Sequence, residues 1–285
     1  MRDTIKGLIW ILRKHYPMEV KKNLAMRIST IISAYNQIEL TALHVREIMA
    51  GTLVPDEIIV VNDNGNTDLK ERLQSLEKNT NIIYAYITED IAWNYTGARN
   101  LGFWISTGDV IVSEDNDNIP NRNLYKAMLV ELEEGFTVLS QRRPVISAEQ
   151  VFSVPMEKWK WGRSVDYHRD SFMVTRMDWL RMKGYDERFA GEYGWCSTDW
   201  RRRLLRAGIG MKQCKEYYFT VQERETEVCR CGKNKEERRL SLQCPDCGLM
   251  YKKLSFRNYA LARKKTHIQP PGAVLNFSYE VQRLN

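Results

Sequence analysis

Two aspartates, Asp115 and Asp117, stand one residue apart where an apolar run of the sequence ends. The run, residues 109–113, is rich in β-branched side chains and predicts a buried β-strand. Carboxylates at positions i and i+2 can bind one cation once the chain turns out of strand geometry. Mg²⁺ and Mn²⁺ prefer oxygen ligands and take the remainder from phosphates and water. The pair is therefore a candidate metal–diphosphate site, and a solvated acidic turn is the alternative interpretation.

Strand and helix patterns alternate over the first half of the chain. The predicted strands span residues 27–34, 57–61, 81–87 and 109–113, and the predicted helices span residues 39–50, 67–78 and 96–106. This alternation indicates an α/β fold with a mostly parallel sheet and helices on both faces. After a less regular, aromatic region, a strand is predicted at 171–175 and helices at 176–183 and 198–207.

Polar side chains follow three of the predicted strands directly. Tyr35 and Asn36 follow the first strand, Asp63 follows the second, and the aspartate pair follows the fourth. The carboxyl ends of parallel strands share one edge of a sheet, where α/β proteins bind their ligands. We therefore expect these side chains to line a single cleft.

The composition limits the partners and the location of the chain. Its 285 residues carry 43 basic and 36 acidic side chains, a net charge of +7 that favours anionic partners such as nucleotides, nucleic acid or anionic lipids. No apolar stretch approaches the ~20 residues of a membrane-spanning helix, so no transmembrane segment is predicted. Residues 3–15 can form a basic amphipathic helix that packs on its own domain or touches a membrane surface or partner. The cysteine pattern described next suits a reducing, cytoplasmic compartment.

Four cysteines near the end of the chain have metal-site spacing. They are Cys229, Cys231, Cys244 and Cys247. Paired thiolates in glycine-terminated turns bind structural Zn²⁺ in zinc ribbons, and metal binding can supply the folding free energy of such a short segment. Basic residues flank this segment and can bind phosphates. A nucleic-acid partner such as DNA is therefore a second hypothesis, less favoured than a glycan or lipid acceptor.

Six blocks of the sequence, in the same order, resemble glycosyltransferase family 2, whose members have the GT-A fold and use nucleotide-diphospho-sugars. The blocks lie at residues 31–36, 58–63, 97–102, 108–117, 184–189 and 199–203. The resemblance implies a nucleotide-sugar site with these members: Tyr35, Asn36, Asp63, Arg99, Asn100 and Asp115. It also implies that Asp115 and Asp117 hold Mn²⁺ or Mg²⁺, with His267 as a candidate further ligand.

The resemblance is incomplete at the catalytic base. The family commonly has an adjacent Glu-Asp pair after Gly-Trp, and here Thr198 takes the place of the glutamate. Asp199 is then the candidate base, with Glu192 as the fallback. Three tryptophans are candidate acceptor-binding residues: Trp159, Trp161 and Trp195. Core packing is the alternative role for Trp159 and Trp161.

The expected function is metal-dependent transfer of a sugar, with inversion, from a nucleotide-diphospho-sugar (a UDP-sugar is favoured) to an acceptor hydroxyl. The acceptor is a glycan or lipid, or else a hydroxymethylated base in DNA. The missing glutamate motivates an alternative, a catalytically impaired GT-A domain that binds nucleic acid or glycan. The expected divisions are a helical extension at 1–26, the GT-A domain at 27–225, the zinc-ribbon-like module at 226–252 and a segment at 253–285 that packs back on the catalytic domain.

Overall fold

A single mixed sheet carries the described part of the chain. The computed structural model describes residues 26–76, 80–145, 148–162, 167, 170–221, 256–263, 275 and 277–284. Its strands are β1 (Ile28–Ala34), β2 (Glu57–Asn62), β3 (Asn81–Ile87), β4 (Val110–Asp115), β5 (Asn118–Pro120), β6 (Phe136–Pro144), β7 (Phe172–Thr175), β8 (Gly210–Thr220) and β9 (Tyr279–Leu284). They lie in the order β5-β8-β6-β7-β4-β1-β2-β3-β9.

The helices connect these strands. They are α1 (Ile38–Met49), α2 (Asp68–Gln74), α3 (Tyr95–Ile105), α4 (Leu124–Glu131), α5 (Ala148–Ser153), α6 (Arg176–Met182), α7 (Cys196–Arg206) and α8 (Phe256–Arg263). Short 3-10 turns occur at Met156–Lys158 and Glu187–Phe189. Among the described residues, no helix combines the length and the apolar character needed to cross a bilayer.

The centre of the sheet is parallel. Strands β4, β1, β2 and β3 are neighbours in that order and run in one direction, with Ser33 beside Asp115 and Ala34 beside Asn62. On either side of this centre the pairing is antiparallel: β7 pairs with β4, and β9 pairs with β3. The predicted α/β architecture is therefore confirmed, and the sheet as a whole is mixed rather than mostly parallel.

Helices cover both faces of the parallel strands, as predicted. The β-strand repeat of two directs alternate side chains to opposite faces. Ile32 therefore packs in a cluster with Val45 of α1, and its neighbour Ile31 packs in another with Leu101 of α3. These side chains are at most 2% exposed, so each contributes roughly 1.5–3 kcal/mol of hydrophobic stabilisation.

Four strands of the sheet were not predicted: β5, β6, β8 and β9. β6 and β8 alternate imperfectly in sequence and include charged residues such as Arg143 and Lys212, and the sheet compensates through backbone pairing between them. Ile119 and Pro120 of β5 pair with Phe219 and Tyr218 of β8. The extension at 1–26 and the cysteine module at 226–252 lie outside the described residues, apart from residue 26.

Candidate active site

One edge of the sheet gathers the polar side chains that follow β1, β2 and β4. The parallel register sets Ser33 beside Asp115, and Asp63 N donates to Ala34 O over 2.9 Å. The segments after these strands therefore begin at the same level of the sheet. Tyr35 is 57% exposed at this edge.

Asparagine side chains shape the loop after β2. Asn36 Oδ1 accepts from Asn66 N over 2.8 Å and so joins the loops after β1 and β2. Asn62 Oδ1 accepts from Gly65 N over 2.7 Å. A Cβ at Gly65 would lie 2.8 Å from Asn36 N, so the close approach of the two loops requires glycine there. The result is a fixed backbone on either side of Asp63.

Asp63 is a carboxylate with an unused acceptor. Its Oδ1 is buried and accepts no hydrogen bond from the described residues. Burial raises the pKa of Asp63 from 3.8 to about 7, and nearby Asp90 acts in the same direction. Hydrogen bonds from the side chain and backbone of Asn94 lower the pKa without offsetting burial. A buried acceptor left without a donor costs free energy, which a ligand N–H would recover.

Asp115 ends β4 beside a fully buried arginine. Arg99, on α3, donates to Asp115 Oδ1, to Ser113 Oγ and to Asp170 O, and its guanidinium carbon lies 4.3 Å from the Tyr95 ring centroid. Arg99 is 0% exposed, and the Asp115 side chain is 22% exposed. The arginine thus fixes one carboxylate of the aspartate pair from inside the protein.

Helix α1 holds the turn that contains the aspartate pair. His44 Nε2 lies 2.7 Å from Glu114 Oε2, and its Nδ1 lies 3.3 Å from Asn116 O. Asn116 Nδ2 donates to Thr41 Oγ1 over 3.1 Å. Glu114 and Asn116 therefore bind inward to α1, on either side of Asp115 in the sequence.

Asn100 binds a loop and does not project into the cleft. It is 0% exposed; its Nδ2 donates to Tyr185 O over 2.9 Å and its Oδ1 accepts from Tyr185 N over 2.8 Å. Its Nδ2 also donates to Glu187 Oε1 over 2.7 Å. The side chain expected near the sugar-diphosphate therefore joins α3 to the loop that precedes α7.

The two candidate bases differ in exposure. Asp199 is 2% exposed, and its Oδ2 accepts from Arg203 Nε over 2.7 Å. Arg203 Nη1 also donates to Met182 O and Gly184 O. The Glu192 side chain is 45% exposed and lies 3.5 Å from Arg257 Nε.

The three tryptophans occupy different environments. Trp159 is 3% exposed in a hydrophobic cluster, and its Nε1 donates to Val154 O. Trp161 is 39% exposed beside Phe219. Trp195 contacts the ring of Tyr259 on α8, with centroids 4.7 Å apart. Trp159 thus packs in the core, as the alternative interpretation expected, whereas Trp161 and Trp195 retain accessible surface.

The family assignment rests on a match that contains this site. A family model described as Glycosyl transferase family 2 matches residues 29–194. That range is more than half of the chain and includes Asp63, Arg99 and the aspartate pair. The chain belongs to glycosyl transferase family 2.

Curated relatives of this family 2 chain are named as glycosyltransferases. It is 29% identical over 114 residues to an uncharacterized glycosyltransferase of Rickettsia bellii (strain RML369-C), which covers 40% of this chain and 16% of the relative. It is 24% identical over 221 residues to the probable glycosyltransferase YdaM of Bacillus subtilis (strain 168), which covers 70% of this chain and 51% of the relative. The chain spans about half or less of the length of these relatives.

Solved structures share the fold at low identity. GalNAc-T7 with UDP, GalNAc and Mn²⁺ has a TM-score of 0.53 and 12% identity over 70% of this chain and 44% of that one. TarS of S. aureus has a TM-score of 0.53 and 15% identity, over 69% of this chain and 60% of that one. The mannosyltransferase PcManGT of Pyrobaculum calidifontis with GDP-Man and Mn²⁺ has a TM-score of 0.52 and 15% identity, over 73% of this chain and 61% of that one. These likenesses establish a GT-A-like fold.

The donor set at the aspartate pair of this family 2 domain fits a hard cation. Asp115 and Asp117 are both partly exposed and offer carboxylate oxygens, the ligands that Mn²⁺ and Mg²⁺ prefer. Within the described residues, no three His, Cys, Asp or Glu side chains converge as a closed metal site. A site of two protein carboxylates therefore depends on phosphate and water for its other ligands. His267 and the four cysteines predicted to bind Zn²⁺ lie outside the described residues.

Several residues that shape the site escaped sequence reasoning. Asn94 supports Asp63, His44 and Glu114 hold the turn, and Ser171 Oγ accepts from Asp115 N over 3.4 Å. An alternation of apolar and charged residues cannot reveal such contacts between distant segments. The one available signal was Glu114, a charged residue directly after the predicted buried strand 109–113, where a buried carboxylate requires a partner.

Proposed function

We propose that this family 2 domain transfers a sugar from a nucleotide-diphospho-sugar to an acceptor hydroxyl with the help of Mn²⁺ or Mg²⁺. The observation that carries the proposal is the unused buried acceptor of Asp63 at the same sheet edge as the Arg99–Asp115 pair. A nucleobase ring N–H fits the first, and a cation-bound diphosphate fits the second. The names of the relatives and the Mn²⁺ and nucleotides in two of the related structures support the same reading.

Different residues would bind different parts of the nucleotide-sugar donor. Asp63 Oδ1 accepts from the base, with the exposed ring of Tyr35 beside it, and a UDP-sugar is favoured. Asp115 and Asp117 would hold the cation, and Arg99 keeps Asp115 in place. The bound cation would neutralise charge on the departing diphosphate as the glycosidic bond breaks.

Deprotonation of the acceptor requires a base within hydrogen-bond reach of its hydroxyl. Asp199 remains a candidate, and as a base it would have to share its carboxylate with Arg203. Glu192 is the more exposed candidate and lies on the loop before α7. Trp161 and Trp195 remain candidate acceptor contacts.

Replacing Asp115 or Asp117 by Asn tests the metal site at nearly constant side-chain shape. We expect divalent-dependent turnover of a nucleotide-sugar to fall by at least about 100-fold in each variant, because the cation loses a charged ligand. The measurement is release of the nucleoside diphosphate during a titration with Mn²⁺ or Mg²⁺. Glu131→Gln, on an exposed carboxylate at the end of α4, is the matched control.

Two outcomes separate the competing readings. Full turnover in both aspartate variants contradicts the metal site. Turnover of any nucleotide-sugar by the unmodified chain rules out the impaired binding domain, and no turnover across a panel of UDP- and GDP-sugars contradicts the proposed function.

A further inference from the structure

Two exposed aromatic rings meet beside the donor cleft. Trp93 lies in the loop between β3 and α3, and Tyr193 lies in the loop before α7. Their ring centroids are 4.9 Å apart with an angle of 56° between the planes. Trp93 is 47% exposed and Tyr193 is 38% exposed. We call these two rings the Trp93–Tyr193 platform.

The platform is held by backbone contacts on both sides. Gly191 N donates to Ala92 O over 2.7 Å, which joins the two loops next to the rings. Trp93 has a φ of 53°, in the left-handed region that a bulky residue adopts at a cost. Asn258 of α8 is 0% exposed, and its Nδ2 donates to the carbonyls of Phe189, Glu192 and Gly194. The rings therefore belong to an ordered surface.

The platform adjoins the proposed base pocket through one residue. Trp93 directly precedes Asn94, which lies close enough to Asp63 to lower the pKa of that carboxyl. A molecule that rests on the rings consequently lies next to a bound donor. Tyr35 already provides an exposed ring for the nucleobase, so the platform is available for another ring.

Charge around the platform selects the class of that ligand. Glu89 and Asp90 precede Trp93 in its loop, and Glu192 precedes Tyr193. Arg257 pairs with Glu192 and donates to Ala190 O. Glu89 and Asp90 are therefore the residues that make the rim net acidic. An acidic rim repels the phosphates of a nucleic acid. Carboxylates accept hydrogen bonds from sugar hydroxyls, and the C–H face of a pyranose packs on the negative face of an aromatic ring.

We propose that the Trp93–Tyr193 platform binds a pyranose ring of a neutral glycan acceptor, with the acidic rim accepting from its hydroxyls. The inference rests on the proposed function and adds the acceptor class to it. It places the glycan next to Glu192, the exposed candidate base, which directly precedes Tyr193, and it disfavours the DNA acceptor considered from the sequence.

The test uses the full chain and a panel of p-nitrophenyl glycosides of hexoses and N-acetylhexosamines. Transfer is followed with Trp93→Ala and Tyr193→Ala, and with Trp93→Phe and Tyr193→Phe as conservative variants. We expect the alanine variants to raise the acceptor KM about tenfold, the contribution of one stacked ring, while the donor KM stays constant. The phenylalanine variants should keep most of the affinity, because they keep a ring.

Trp104→Ala is the matched control. Trp104 is 65% exposed on α3. The chain after α3 reaches Gly108, whose N donates to Ser29 Oγ at the opposite edge of the sheet. Loss of this ring should change neither KM.

A second readout separates this inference from the proposed function. Saturation-transfer NMR with methyl glycosides detects contact between sugar C–H groups and the platform without any donor, and the signal should disappear in Trp93→Ala. Turnover with an unchanged acceptor KM in the alanine variants overturns the platform alone, as does a rise in donor KM instead. Transfer to a hydroxymethylated duplex but to none of the glycosides overturns the neutral-glycan assignment. Donor-free NMR contact without any turnover supports the platform while contradicting the proposed function.

Discussion

At the scale of single residues, Asp63 is proposed to bind the nucleobase, and its buried carboxylate also lowers the free energy of unfolding. Its pKa is raised from 3.8 to about 7, first by burial. A carboxyl with a higher pKa in the folded than in the unfolded protein binds more protons when folded. Its contribution to the free energy of unfolding therefore decreases as the pH rises from about 4 to about 7. The fold thus retains a destabilising group at the place where a nucleobase is proposed to bind.

Asp63→Asn should separate these two effects. At about pH 8 we expect the variant to be more stable, by on the order of 1–3 kcal/mol in urea unfolding, because it has no buried charge. We also expect weaker UDP binding in calorimetry. The wild-type affinity should increase from about pH 6 to about pH 8 as the carboxylate forms, and this dependence should vanish in the variant. The explanation is contradicted if the variant is less stable than the wild type at both about pH 6 and about pH 8 and binds UDP with unchanged affinity. Glu131→Gln is the control.

At the scale of elements, α1 positions the aspartate turn through one buried contact between His44 and Glu114. His44 and Glu114 are both 0% exposed, and the Tyr125 hydroxyl donates to the same Glu114 Oε2 over 2.8 Å. A buried polar group left without its hydrogen-bond partner destabilises a protein by about 1–3 kcal/mol, and by more when the group is charged. We therefore expect His44→Ala to lower the free energy of unfolding by about this amount and to raise the Mn²⁺ concentration needed for half-maximal turnover.

A matched set of variants tests whether the loss of the His44–Glu114 contact causes that destabilisation. Glu114→Gln added to His44→Ala should recover part of the stability, because it removes the uncompensated charge. Arg46→Ala, on the exposed side of the same helix, should change stability by less than about 1 kcal/mol. Equal losses in the single and the double variant would assign the effect to a cavity instead.

The sequence predicted the elements whose patterns are local. β3 lies at the predicted residues 81–87, and β1, β2 and β4 lie within about two residues of prediction, because each is a continuous apolar run. β6 and β8 escaped because their side chains are partly exposed and their stability comes from pairing with each other. The same limit applies to the candidate site. The positions of Asp63 and Asp115 followed from the ends of predicted strands. The environment of Asn100 could not be predicted in this way, because its hydrogen-bond partner, Tyr185, is 85 residues away in the sequence.

At the scale of the whole molecule, α8 completes the loop before α7. Asn258 lies outside the family match, yet its amide binds three carbonyls of that loop. We expect Asn258→Asp, which has the same shape but no donor, to lower the melting temperature by several degrees, since three carbonyls lose their partner. It should also speed amide exchange of Gly191 and raise the acceptor KM.

The control for that variant is Ala260→Ser, on the exposed side of α8. It should leave the melting temperature and the exchange of Gly191 unchanged. Wild-type exchange and stability in Asn258→Asp would show that α8 does not hold the loop.

The pairing of β9 with β3 has a consequence for synthesis on the ribosome. The family match ends at residue 194, but among the described strands the partner of the outer edge of β3 is β9, at Tyr279–Leu284. A nascent chain that has completed the matched region therefore still presents an open strand edge, which is a template for aggregation. The sheet of the described residues is therefore incomplete until β9 has been synthesised.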